Sequence, residues 1–550
     1  MNYSNNGGLD MLIQNLAEAQ LFLLRWENAY VPEAGITAVT KKEREYFKSS
    51  IIVSPYFPFI TEKNDRDKVI ASTGITLEGN GVMGEVLITT DQSKVPIVFL
   101  KLEEYFTARM SPYYTKEVGI TSEEARANLE RDVLVFGCLF EIFLKKLIKM
   151  GISLKEKGVN GADWQFVPAL IMAKPLVKNI SHTIHNTYTA WLHNEAKNFP
   201  VYNGTPISTR DDSALRIIFD HVDAITTVST GYAHDLANEF VHKYVLDPDI
   251  CLSQAVIKGV NNGFFSSLGT NERDLLLAYR KDSSTGIKAL KEYNENAKEQ
   301  FLKKANELLI DVEGKVIFII NGRTVTQKLI ELSVMGIRKY LEGNKDKAVF
   351  IITLLPGTDD SERVKLLQEL ALQFPKNVLF CYGACEYFME ALKLANFVIF
   401  NSLYEPFGGC YTGTATIPLV FAIDGLVSQV SDPQAKGEAL RRHRQFHSPS
   451  EKATGILVYP EIPVSIRENH ELMLSQYREI NEQVITWQSN DVFNAMTEAL
   501  VAGIVRAVDL RTNNFEKFAE IVFNILEKQE DNSLGWINNY ETLKDIHGIS

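Results

Sequence analysis

The second half of the chain is punctuated by short, unbroken apolar runs, and these constrain its fold more than any other feature. They read K-V-I-F-I-I-N-G-R (315–323), A-V-F-I-I-T-L-L-P-G (348–357), N-V-L-F-C-Y-G (377–383), F-V-I-F-N (397–401), I-P-L-V-F-A-I-D-G (417–425) and G-I-L-V-Y-P (455–460). The runs are continuous rather than alternating, so both faces of the strands they form must be covered. Helical patterns fill the intervals, as in T-Q-K-L-I-E-L-S-V-M-G-I-R-K-Y-L from 326. Buried strands alternating with helices predict an α/β fold with parallel sheets.

The first half has the same grammar. Strands are expected at I-I-V-S-P-Y-F (51–57), V-P-I-V-F-L (95–100), F-V-P-A-L-I-M-A-K-P (166–175) and A-I-T-T-V-S (224–229). A long helix is expected over 121–149, opened by a capping box from Thr121 to Glu124. A Gly-, Asn- and Ser-rich stretch at 259–273 separates the halves. It sets an N-terminal domain at 1–262 and a C-terminal domain at 263–510. The tail, 511–550, begins with a helix carrying Phe515, Phe518, Val522 and Ile525 on one stripe. The segment 434–453 is polar and basic and reads as a loop.

With 550 residues the chain exceeds a single core. Its formal net charge of -12 argues against a general nucleic-acid binder, which needs a basic face. No apolar run approaches the roughly 20 residues of a membrane span. The opening residues lack the basic start and apolar core of a signal peptide. The five cysteines are scattered, and only Cys381 and Cys385 lie close. One C-x3-C pair without a second is a poor zinc signal. A reducing, cytoplasmic setting is expected.

Ligands of doubly wound sheets bind outside the carboxyl ends of the strands, so the loops there carry the candidates. Arg323 closes one strand and Lys328 lies five residues on, a planar fork and a point charge suited to a diphosphate. The same pair equally fits a solvated helix start. Y-E-P-F-G-G (404–409) places one carboxylate, Glu405, before Gly408 and Gly409. Glycines let backbone N–H groups approach phosphate oxygens, and a following helix N-terminus would add a favourable dipole. G-G is more often a simple turn. His182 and His185 are three residues apart with no third metal ligand near, and His185-Asn186 at a strand end can grip a polar substrate. D-P-D (247–249) reads as a turn and R-R-H-R (441–444) as a solvated loop.

Together these pieces resemble the glycogen and starch synthases, retaining glycosyltransferases of the GT-B architecture. N-N-G-G-L (5–9) looks like the family's K-x-G-G-L loop, and G-A-D-W-Q (161–165) resembles its H-x-D-W segment. T-I-H-N (183–186) is also found in the family. A-I-T-T-V-S and G-V-N-N-G (259–263) match the segments closing its N-terminal domain. G-R-T-V-T-Q-K (322–328) resembles R-L-x-x-Q-K-G, and Y-E-P-F-G resembles E-P-x-G. T-I-P-L-V (416–420), D-G-L (424–426) and G-W (535–536) follow in order.

The resemblance implies two doubly wound Rossmann-like domains facing a central cleft, with a C-terminal helix crossing back to pack on the N-terminal domain. It implies that Arg323 and Lys328 bind the donor diphosphate, and that Gly408, Gly409, Gly7, Gly8 and Asn262 line the donor site. Glu405 would hold sugar hydroxyls, His185 and Asn186 would sit by the anomeric carbon, and Asp163 near the acceptor. The donor would be ADP-glucose or UDP-glucose, with no cofactor or metal required, and the acceptor a glucan or another molecule. The sequence sets no oligomeric state.

Several positions depart from the family. Asn5 replaces a lysine, Gly161 a histidine, and Gly413 stands where a second acid is expected. Ala422-Ile423 replaces a basic pair. The stretch from Gly409 to Thr416 is about one helical turn short. The family's opening strand, central in its sheet, has no counterpart. Three readings follow: a retaining hexosyltransferase, a catalytically impaired relative that binds nucleotide sugar or glucan, and an effector that glycosylates a protein.

Overall fold

The computed structural model describes Ile13 and residues 19–24, 50–58, 70–79, 82–89 and 96–246, the last without 110, 115–116, 187–190 and 193–211. It further describes 256–263, 268–530 without 306–307, 358–360 and 483–488, and 541–548. The chain forms two units. The first comprises 1–228, 247–260 and 536–550, and the second 229–246 and 261–535.

Unit 1 is built on a nine-stranded sheet. Its strands are β1 (Leu21–Leu24), β2 (Ser50–Pro55), β3 (Ile70–Gly79), β4 (Val82–Thr89), β5 (Ile97–Lys101), β6 (Gly158–Ala162), β7 (Asn179–Ile184), β10 (Ala224–Thr227) and β11 (Ile257–Gly259). A separate antiparallel ribbon pairs β8 (Trp191–Leu192) with β9 (Asp212–Ser213). The order in the large sheet is β11-β10-β7-β6-β1-β2-β5-β4-β3. All neighbours from β11 to β5 are parallel, while β3 and β4 form an antiparallel edge. Among the parallel strands the order reverses between β1 and β6, which makes that the topological switch point.

Helix α1 (Ser122–Lys149) covers this sheet. Thr121 Oγ1 accepts from the Glu124 N–H, and the Glu124 carboxylate accepts from the Thr121 N–H at 2.8 Å, the expected reciprocal cap. Phe136 and Phe140 on its buried face meet Phe166 and Phe22 edge-on.

Three expectations change here. The opening strand is present: β1 is L-F-L-L at 21–24 and lies between β6 and β2 at the sheet's centre. Its four leucine and phenylalanine residues are too few to stand out in the sequence, and only pairing on both sides defines them as a strand. Asn5–Leu9, outside the described residues, comes before this strand in the chain. The run 166–175 is helical, as α2 (Val167–Ala173) after a short turn at Trp164–Phe166, with Pro168 in the first turn, where its missing N–H is harmless. An apolar run of this length does not distinguish a buried strand from a buried helix. The β3–β4 hairpin was not expected.

Unit 2 carries a fully parallel six-stranded sheet from β12 (Val316–Arg323), β13 (Ala348–Leu355), β14 (Val378–Tyr382), β15 (Phe397–Phe400), β16 (Ile417–Phe421) and β17 (Ile456–Val458). These are the six apolar runs of the sequence. Their order is β14-β13-β12-β15-β16-β17, so the switch point lies between β12 and β15.

Successive residues of β12 enter opposite cores, which is why the run is unbroken. Val316, Phe318 and Ile320 join one core, and Ile317 and Ile319 the other. The first core stacks Phe318 on Phe350 and Phe397, with centroids 5.0 and 5.4 Å apart. The principal helices are α3 (Thr230–Asn238), α4 (Ile330–Asn344), α5 (Asp424–Gln429), α6 (Gly437–Phe446), α7 (Asp491–Asn513) and α8 (Phe515–Glu530).

The basic stretch 434–453 is not a loop throughout. It contains α6, and Arg442 of R-R-H-R is completely buried. A buried guanidinium needs acidic partners from elsewhere in the chain, which local sequence does not show. Residues 229–246 belong to unit 2, inside the expected N-terminal domain. The expected tail helix, α8, also stays in unit 2, with Phe518 against Phe397. The last residues of the chain pack on unit 1 instead: a helical segment at 541–547 sets Leu543 against Leu21, Leu23 and Ile52. No helix among the described residues is long and apolar enough to cross a membrane.

Candidate active site

The loops leaving β12 and β15 flank the switch point of unit 2, and hydrogen bonds fix them to each other. After β12 a short 3-10 turn (Thr326–Lys328) leads to Leu329, which has a left-handed φ of 40° and opens α4. The Leu403 N–H donates to Gln327 O at 2.8 Å, and Gln327 Nε2 donates to Tyr404 O at 3.0 Å. Asn401 Nδ2 donates to Leu329 O and to Ser333 Oγ, both at 2.9 Å. These contacts set the register in which Lys328 Nζ forms an ion pair with Glu405 Oε2. Ser402 Oγ donates to the same oxygen at 2.8 Å. Glu405 is 9 % exposed.

Glycine has a specific function at two positions. Gly322 has φ of 151°, which other residues rarely adopt, and a Cβ there would meet only the aliphatic stem of Lys328, 3.9 Å from its Cε. Gly408 has φ of 71°, and a Cβ there would fall 2.5 Å from Leu426 Cδ2 and 2.7 Å from Glu405 Cγ. Gly408 thus shapes the seat of Glu405 itself. Gly409 is exposed.

The chain does not enter a helix after Gly409. It runs without regular structure to β16 at Ile417, so no helix begins at the two glycines. The stretch is too short for a helix and is instead tied to its surroundings. The Gly413 N–H donates to Gln529 Oε1 at 2.6 Å, and Tyr411 Oη donates to Gln429 O at 2.9 Å. Position 413, expected to bear an acid in the family, is a glycine at φ of 78°.

Arg323 ends β12 with an exposed side chain and no ion-pair partner among the described residues. Beside it, the sheet edge ends in exposed Leu355 on β13 and exposed Tyr382 on β14. The sequence reading missed both residues. An apolar residue at the last position of a buried strand looks like core until the strand ends are located.

In unit 1, Asp163 lies just past β6, at the β1–β6 switch point, and His185-Asn186 just past β7. Asp163 Oδ1 accepts from the backbone N–H of His185 at 2.7 Å and of Asn186 at 3.1 Å. Asp163 adopts φ of 61° to do so. Asp163 thus holds the T-I-H-N loop rather than standing free of it. His185 is exposed. Asn262 is half-buried in unit 2. Gly7 and Gly8 lie outside the described residues.

His234, Asp235 and Glu239 bring ligand atoms within 4.8 Å of one another, a geometry that suits a metal. Arg442 already supplies the countercharge: Nη1 donates to Glu239 Oε1 at 3.0 Å and Nη2 pairs with Asp235. Burial pushes the Asp235 carboxyl up, but His234 and Arg442 hold it down at about 2.

The starch synthase catalytic-domain family model matches residues 43–250. That span contains Asp163, His185 and Asn186, whereas Lys328 and Glu405 lie beyond it. Among solved structures, the catalytic domain of starch synthase IV from Arabidopsis thaliana bound to ADP and acarbose is similar at a TM-score of 0.55 and 16% identity, covering 89% of this chain and 99% of that one. The N-terminal domain of Candida albicans trehalose-6-phosphate phosphatase is similar at a TM-score of 0.47 and 11% identity, over 96% of this chain and 97% of that one. No curated protein sequence matches the chain.

The fold is thus of the GT-B class, and residues 43–250 are similar in sequence to the starch synthase catalytic domain.

Proposed function

We propose that the protein transfers a hexosyl group, glucose in the first instance, from ADP-glucose or UDP-glucose to a glucan or another acceptor with retention of anomeric configuration. One observation carries this reading: Lys328 and Glu405 meet at the carboxyl ends of the two strands that flank the switch point of unit 2. Ligands of such sheets bind there. Glu405 Oε1 makes no hydrogen bond among the described residues and is left to accept from sugar hydroxyls. Lys328 and the exposed Arg323 neutralise the departing diphosphate, the largest electrostatic demand of the reaction. Exposed Tyr382 and Leu355 offer apolar surface for the nucleobase. In unit 1, the His185-Asn186 loop is held by Asp163, and its polar groups suit a sugar ligand in their own right. In this reading the countercharge comes from side chains and no metal is required. The similar starch synthase IV domain was solved with ADP, which supports a nucleotide donor. The described cysteines 138, 381, 385 and 410 are free thiols, in keeping with a cytoplasmic setting.

The test is a panel of nucleotide sugars read out by hydrolysis, which requires no acceptor. Turnover of at least one donor is expected, with a loss of roughly 100- to 1000-fold in Glu405→Ala. Nucleotide binding without turnover on any donor would select the second reading, a catalytically impaired binding protein. The glycine at 413 and the absence of a helix after Gly409 favour that alternative.

A further inference from the structure

Residues 229–246 lie between β10 and β11 in the chain, yet they are built into unit 2. Their polar side chains converge on the E-P-F-G loop. Ser229, the N-cap of α3, donates from Oγ to Pro406 O at 2.6 Å. His242 Nε2 lies 2.8 Å from Asp424 Oδ1. The other oxygen of Asp424 accepts the Glu405 N–H at 2.7 Å. The Gly425 N–H donates to Glu405 O at 3.1 Å, so both main-chain groups of Glu405 are clamped by consecutive residues.

Asp424 is itself held from behind. Its N–H donates to Asp235 Oδ2 at 2.7 Å, and Asp235 is gripped by Arg442. Arg442 Nε donates to Ala422 O at 2.9 Å, two residues before Asp424. Asp424 is buried at φ of 43°, which non-glycine residues rarely adopt and which persists where the surroundings over-determine it. α3 packs so closely that a Cβ on Gly231 would collide with the Asp424 carbonyl.

We infer that Asp424 and His242 are positioning residues for Glu405, fixing its main chain so that its carboxylate stands at the switch point. The inference rests on the reading of Glu405 as the sugar-binding carboxylate. It adds a specific device: a relay from α6 through α3 and the 242–246 turn to the N–H of residue 405.

The full-length protein tests it with Asp424→Gly, Asp424→Asn and His242→Ala. Glycine is at ease at this φ, so Asp424→Gly keeps the backbone and removes both carboxylate contacts. Asparagine keeps an acceptor for the Glu405 N–H. Amide hydrogen exchange over 401–410, followed by mass spectrometry without donor, should rise about tenfold in Asp424→Gly and His242→Ala and return towards the parent in Asp424→Asn. On whichever nucleotide sugar the parent hydrolyses, kcat should fall about 10- to 100-fold while the affinity for the nucleoside diphosphate moves less than about threefold. Unchanged exchange over 401–410 in folded Asp424→Gly and His242→Ala overturns the inference. So does a kcat within about twofold of the parent in both variants. A parent that hydrolyses no donor defeats the functional reading alone, because the exchange measurement still decides the clamp.

Discussion

Lys328 and Glu405 form an ion pair across the switch point of unit 2, one residue reaching it from β12 and the other from β15. The pair sits low in the loops, with side chains 23% and 12% exposed. Removing one partner therefore leaves the other poorly solvated, while some screening by water remains. Lys328→Ala should cost about 1–2 kcal/mol of stability, and the double variant Lys328→Ala/Glu405→Gln less than the sum of the singles. Urea unfolding of the four proteins measures this. Both single variants should also lose turnover by about 100-fold or more.

Gly408 supports Glu405 sterically. In Gly408→Ala the new methyl group meets Leu426 and the Glu405 side chain, and the left-handed backbone adds strain. A loss of about 1–3 kcal/mol is expected, with a fall in kcat that Gly409→Ala, at an exposed position, does not share. Thermal melts and donor hydrolysis of the two variants give the comparison.

Unit 1 buries two histidines whose pKa values fall below the usual range. Desolvation takes His182 down to about 3, with exposed His185 adding to the effect, and burial takes His547 down to about 4. The folded protein keeps both neutral, while the unfolded chain protonates them near pH 6.5. The unfolded state then binds more protons, so this stability is fully present above about pH 6.5 and is lost as pH falls. Each histidine contributes a slope of up to about 1.4 kcal/mol per pH unit in that window. Unfolding midpoints between pH 7 and 4.5 should fall steeply, and His182→Phe should flatten the curve. An unchanged slope in that variant would show that His182 is not the group responsible.

Arg442 is buried beside Asp235 and Glu239. Arg442→Leu strands the Asp235 carboxylate and should destabilise by about 3–5 kcal/mol, with part recovered in Arg442→Leu/Asp235→Asn. Calorimetric melts of the two variants measure the recovery.

The sequence by itself determined the parallel sheet of unit 2. Its six runs are continuous because successive residues in their interiors face one of two cores, and continuous burial is visible in a linear string. It also determined the capped α1 helix, because a capping box is local. Tertiary structure decided the rest. The strand at 21–24 exists only because β6 and β2 pair with it on both sides. The burial of Arg442 depends on acids about 200 residues away in the chain. The support of Glu405 by Asp424 and His242 joins three distant segments through single hydrogen bonds. Such contacts leave no periodicity and no spacing to read, because they are set by how the loops fold over the strand ends.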